Sequence, residues 1–198
     1  MFADAAAIAV RLFESEPKRP VERAVLDTLV RFGAAPLAFA LGGRIRVALL
    51  WPGETYRDAS PALARSGIDV DAWPAPPADL FVVEERALYL RSRSPMTVAH
   101  EFGHALDCAL GGGVYRSGID PRVRANFTSA RSFVTPYAAT GIDEYFAESL
   151  RAFVGINDPV SAWPKATRER LRRIDPNMFE YVRGLFAQEF EVSERRAG

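Results

Sequence analysis

Two histidines are the whole histidine complement of this 198-residue chain. They stand four positions apart, at His100 and His104, with Glu101 next to the first. On a helix each residue turns about 100°, so the two imidazoles lie about 40° apart, one turn from each other. Two neutral imidazoles in that relation can both reach one Zn²⁺ at about 2 Å. Glu101 then stands beside an open coordination position, where it can take a proton from a water molecule and hand it to a leaving amine. Ala99, Phe102, Gly103, Leu106 and Leu110 gather on an adjoining face and give the helix a core to bury against.

Two histidines do not hold a catalytic zinc firmly, and a third ligand is needed. Cys108 points toward the Glu101 side of the helix and reads as a small buried thiol. A carboxylate remains, and the segment "DEYFAESLRAF" offers one. Glu144 and Glu148 share a helix face about 40° apart, beside an apolar stripe of Phe146, Ala147, Leu150, Phe153 and Val154. Acids on the inner margin of a core-facing helix need a partner, and a cation is the simplest. Glu144 would complete a His2Glu set, while Glu148 would accept the second ring proton of a ligand histidine and fix its tautomer. An ordinary acidic rim is the alternative on spacing alone. Tyr137, just upstream in "TPYAATGI", could donate its hydroxyl to an oxyanion, although loop tyrosines also serve simply to pack.

The elements that must carry these residues are legible in outline. Ser94 as cap, Pro95 at the first position and "GGG" at Gly111 to Gly113 bound the histidine helix. Before it, "LFVVEE" (Leu80 to Glu85) and "ALYLRS" (Ala87 to Ser92) read as an antiparallel strand pair turning near Glu85 and Arg86. "RIRVALLW" (Arg44 to Trp51) is a further strand, and "WPAPPAD" a stiff, proline-rich connection. Helices are expected at about Ala3 to Glu14, Val21 to Phe32, Asp143 to Val154, Lys165 to Ile174 and Pro176 to Phe190. The stretch between Gly113 and Gly141 reads as turns and short polar runs, and the tail "SERRAG" as frayed. Sheet first and helices after is the order of an α+β fold. Residues 1–79 form a helical and strand region packing on or contributing to a catalytic core at 80–198.

Composition narrows the remaining classes. The 25 basic and 25 acidic residues cancel, which gives no argument for a nucleic-acid partner or an anionic membrane. A single cysteine excludes an internal disulfide framework. No apolar run spans a bilayer, and "MFADAAAIAVRLF" reads as an amphipathic helix rather than a cleaved signal. A cytoplasmic location is therefore expected, with export by a signal-independent route as the alternative. Oligomeric state has no signature.

Two blocks, "HEFGHALD" and "TPYAATGIDEYFAESLRAF", together with the closing "RLRRIDPNMFEYVRGLF", resemble the catalytic domain of anthrax toxin lethal factor and its relatives. That group of zinc metallopeptidases includes secreted bacterial proline-directed endopeptidases, and the resemblance covers about Leu80 to Phe190. It implies a zincin-like domain with Zn²⁺ held by His100, His104 and Glu144. It further implies Glu101 as catalytic base, Tyr137 as stabiliser of the tetrahedral intermediate, and Glu148 as the acidic support behind the ligands. Asp107, which belongs to the same motif, receives a structural or supporting duty. A peptide or protein substrate is expected to lie extended along an edge strand, with about Ala87 to Arg93 as the candidate and Arg91 and Arg93 favouring acidic residues. Nothing before Leu80 resembles the family's receptor-engaging or secretory segments. A metal-stabilised, non-catalytic interaction domain and a hydrolase of non-peptide amides remain the competing readings.

Overall fold

The computed structural model describes residues 2–190; the expected fraying of the tail lies outside them. The architecture is α+β, a small three-stranded sheet surrounded by helices. The chain opens with α1 (Phe2–Val10), α2 (Pro20–Val30) and α3 (Ala34–Gly42), and then enters β1 (Arg46–Leu49). Two short helices, α4 (Tyr56–Ala59) and α5 (Pro61–Ser66), lead through the proline-rich connection to β2 (Asp79–Val82) and β3 (Ala87–Leu90). The histidine helix α6 (Pro95–Leu110) follows, then α7 (Arg116–Ile119), α8 (Pro121–Ser129) and the glutamate helix α9 (Ile142–Val154). Helices α10 (Arg168–Ile174) and α11 (Pro176–Gly184) complete the fold, and a π-turn over Leu185–Glu189 continues the last helix.

The sheet order is β1-β3-β2, with β1 parallel and β2 antiparallel to β3. This corrects the expectation that Ala87 to Arg93 forms an exposed edge. β3 is the central strand and all four of its residues are buried. The alternation of Leu88 and Leu90 with Tyr89 reflects two apolar faces, not one wet face. Leu88 and Leu90 enter the main core, whereas Tyr89 packs with Tyr56, Leu63 and Val70 in a second, smaller cluster. The edge facing α6 belongs to β2. Arg91 is also committed, because it pairs with Asp71 at 2.5 Å and lies over the Tyr56 ring.

The antiparallel hairpin turns where expected, with Arg86 left-handed at φ 52°. Ser94 occupies the N-cap position of α6 but does not cap it; its hydroxyl donates to Asp158 Oδ2 at 2.8 Å. Helix α6 ends on Gly111, and Gly112 and Gly113 follow at φ 70° and 117°, a backbone path that side-chained residues rarely take. Helices α3, α7 and α8 are additions to the elements read from sequence, and residues 53–67, which read as a polar loop with one short helix, hold two, α4 and α5. Residues 1–79 share the main core with the rest of the chain, since Ala9, Val25, Leu29 and Phe32 pack in one cluster with Phe102, Leu106 and Phe146. Among the described residues no single helix is long and apolar enough to cross a membrane.

Helices α6 and α9 face each other closely because of one residue. A Cβ at Gly103 would sit 2.8 Å from Ala147 Cα and 3.0 Å from both Ala147 Cβ and the Ala147 carbonyl oxygen. Only a glycine allows this approach. It brings the histidine face of α6 within reach of the acidic face of α9.

Candidate metal centre

At that crossing three ligand atoms converge. His100 Nε2 lies 2.9 Å and His104 Nε2 3.3 Å from Glu144 Oε2, and the two nitrogens are 3.1 Å apart. Both imidazoles are buried. His100 turns its other nitrogen, Nδ1, to Glu148 Oε1 at 3.0 Å. Glu148 accepts that proton, so in the neutral ring Nε2 carries a lone pair aimed at Glu144 and His104. Lone pairs and a carboxylate this close repel unless positive charge lies among them. Glu144 Oε2 is buried and has no hydrogen-bond partner, as is His104 Nδ1. The donor set and its orphaned oxygen fit one metal ion held by His100, His104 and Glu144.

The electrostatics agree with that demand. Burial opposes a charged His100, but the carboxylates of Glu144 and Glu148 beside its two ring nitrogens outweigh it and raise its pKa to about 10. Burial likewise opposes ionisation of Glu144, yet the two histidines hold its carboxyl down to about 2. Glu148 is also driven well below the usual carboxylate range: burial raises it, and the bonds from His100 and Arg151 more than reverse the effect. The two carboxylates therefore favour positive charge at His100.

Glu148 is held from every side. Arg151 donates to both its oxygens, Nε to Oε1 at 2.8 Å and Nη2 to Oε2 at 2.7 Å, and Thr135 Oγ1 donates to Oε2 at 2.5 Å. Tyr137 borders the open side of the site. Its ring lies 5.3 Å from that of His100 and its hydroxyl donates to Glu144 Oε1 at 3.2 Å. Burial, followed by the charge of Glu144, pushes the phenol upward, so it remains a donor. Glu101 lines the neighbouring cleft beside His100. Asp107 hydrogen-bonds to Ser117 and not to either histidine. It is fully buried and accepts from Ser117 N at 2.8 Å and Ser117 Oγ at 2.5 Å, which pins the chain after α6. That turn lays Tyr115 against His104, with ring centroids 5.5 Å apart. Cys108 is buried, as a packing thiol would be.

The cleft encloses ≈ 250 Å³. It is lined by Pro77, Ala78 and Asp79, by Met96, Thr97, His100 and Glu101 of α6, and by Tyr137 and Trp163. The proline-rich connection thus lines the cleft. Several contributors are absent from the sequence reading. Arg151 had a signal, since it lies three residues after Glu148 on the same helix face. Thr135 and Trp163 had none, because their partners come from distant segments.

The small mixed sheet, the helix bearing both histidines and the second helix bringing a glutamate together define a zincin-like metallopeptidase fold. Among solved structures, the PRO-PRO endopeptidase (PPEP-2) from Paenibacillus alvei is similar. Its TM-score is 0.62 at 20% sequence identity, covering 90% of this chain and 99% of that one. At this coverage the shared fold takes in most of residues 1–79. No protein-family model matches the sequence, and no curated protein matches it.

Proposed function

We propose that this chain is a zinc-dependent endopeptidase whose ligands are His100, His104 and Glu144. The observation that carries the reading is the buried Glu144 Oε2, unpartnered and 2.9 and 3.3 Å from two imidazole nitrogens at the edge of an open cleft. The sequence blocks resembling lethal factor-type peptidases and the fold shared with an endopeptidase support a peptide as substrate. A zinc ion bound there would supply Lewis acidity, polarising the substrate carbonyl and lowering the pKa of water.

The chain's own residues do the rest. Glu101, on the cleft side of α6, accepts the proton of the attacking water and returns it to the leaving amine. Tyr137 turns its hydroxyl from Glu144 to the oxygen that gains charge as the carbonyl becomes tetrahedral. Glu148 keeps the Nδ1 proton of His100 in place, so that Nε2 faces the ligand position. The substrate lies extended beside β2, the sheet edge next to α6, with residues 77–79 alongside it.

The test is Glu101→Gln, assayed for folding, metal content and cleavage of a peptide library. Retained zinc with hydrolysis reduced about 10²- to 10⁴-fold is expected. Equal hydrolysis in both forms would contradict the role of Glu101. A wild-type protein that binds zinc but cleaves no peptide would favour the interaction-domain reading.

A further inference from the structure

Among the described residues the largest fully buried side chain is a charged one, Arg151, 1% exposed. Its fork to Glu148 takes one acceptor site on each carboxylate oxygen, leaving one site on Oε1 for His100 and one on Oε2 for Thr135. Four donors on about four lone-pair sites leave the carboxylate no other orientation. The remaining guanidinium nitrogen points the other way. Nη1 donates to the Ile156 carbonyl at 3.0 Å and to Asn157 Oδ1 at 3.1 Å.

Asn157 closes a loop. Its Oδ1 also accepts from Ala166 N at 2.9 Å, and its Nδ2 donates to the Ala166 carbonyl at 2.8 Å, so residues 157–166 leave and return at one point. That loop carries Asp158, held by Ser94 at the start of α6, and Trp163, which is half exposed and lines the cleft. A continuous set of bonds thus runs from His100 through Glu148, Arg151 and Asn157 to the loop that walls the cleft.

We propose that Arg151 is a positioning residue that ties the aim of His100 to the seating of the 157–166 loop, so that ligand set and cleft wall are assembled as one unit. The inference rests on the metal-site reading above. A lysine cannot replace this side chain, because a single ammonium cannot bridge both oxygens of Glu148 and also reach Ile156 and Asn157. Asn157 acts through Arg151 and the loop closure, since its hydrogen bonds go to Arg151, Gly155 and Ala166.

The experiment compares full-length wild type, Arg151→Lys, Asn157→Ala, Glu148→Gln and the Arg151→Lys/Glu148→Gln double variant. Each is made with Trp51 and Trp73 changed to Phe, so that Trp163 alone fluoresces. Zinc affinity is measured by chelator competition, the ligand geometry by the visible spectrum of the Co²⁺-loaded protein, and the loop by iodide quenching of Trp163. Arg151→Lys is expected to bind zinc about 10- to 100-fold more weakly, with an altered Co²⁺ spectrum and a changed Trp163 quenching constant. Asn157→Ala changes the quenching and weakens zinc in the same direction by a smaller factor. Because Arg151 acts through Glu148, its effect on zinc shrinks in the Glu148→Gln background. Wild-type zinc affinity in both Arg151→Lys and Asn157→Ala would overturn the inference while leaving the metal site standing. So would a zinc loss in Arg151→Lys with Trp163 unmoved. Absence of zinc binding by the wild type would overturn both.

Discussion

Changing Gly103 to alanine adds one carbon where α6 and α9 cross. The new Cβ would lie 2.8 Å from Ala147 Cα and 3.0 Å from Ala147 Cβ, against an ordinary carbon contact of about 3.5–4.0 Å. The obstruction includes backbone, so no rotamer relieves it, and the helices must part by roughly 0.7 Å or more. Metal–ligand distances tolerate only about 0.2 Å. His100 and His104 move with α6 and Glu144 with α9, so the glutamate is carried out of coordinating range. Zinc affinity should therefore fall by about 100-fold or more. Stability has two opposed contributions: overpacking costs about 1–3 kcal/mol, and alanine over glycine inside a helix returns about 1. The net is a loss of up to about 2 kcal/mol. Gly184→Ala is the control, because nothing lies within 4 Å of a Cβ there. It should leave zinc binding unchanged. Chelator competition and urea unfolding measure both quantities. A Gly103→Ala protein with wild-type zinc affinity would refute the claim that close helix approach builds the site.

Other consequences can be checked alongside. Asp79 is buried, with Oδ1 accepting from the Arg91 and Ser92 amides and Oδ2 without a partner, and burial raises its pKa to about 6 despite those bonds. The folded state then holds this proton more tightly than the unfolded chain, so stability falls as pH rises from about 4 to about 6 and stays reduced above. In urea unfolding followed against pH, Asp79→Asn should flatten that fall, which amounts to about 2–3 kcal/mol; an unchanged profile would rule out Asp79 as its source. Tyr137→Phe should lower kcat about 10²-fold with KM little changed, and a pure KM effect would assign the phenol to substrate binding instead.

Local chemistry made part of this structure legible and long-range pairing hid the rest. The α6 boundaries follow from Pro95 and Gly111, which act on their own neighbours, and the β2–β3 turn follows from two short apolar runs. The convergence of His100, His104, Glu144 and Glu148 is prefigured by four-residue spacings on two helices, one of them with an apolar stripe beside its acids. Helix α3 escaped because "AAPLAFALG" is apolar all round and has no period to read. Helices α7 and α8 are short and mostly polar and show no apolar period, although Asp120 before Pro121 is a start signal of the same kind as the one that bounds α6. The status of β3 depended on β1, some forty residues earlier, pairing along its other side. Ser94 had the type and position of a cap, yet Asp158, sixty-four residues later, claims its hydroxyl. Gly103 reads as a weak point in a helix until Ala147 is placed against it.

The most direct measurement is the metal content of protein purified without added metal, run beside Glu144→Ala. About one zinc per chain in the wild type, largely lost in the variant while the fold persists, is the predicted result. Zinc absent from the wild type, or bound equally well without Glu144, would contradict a His100–His104–Glu144 centre and the peptidase reading built on it.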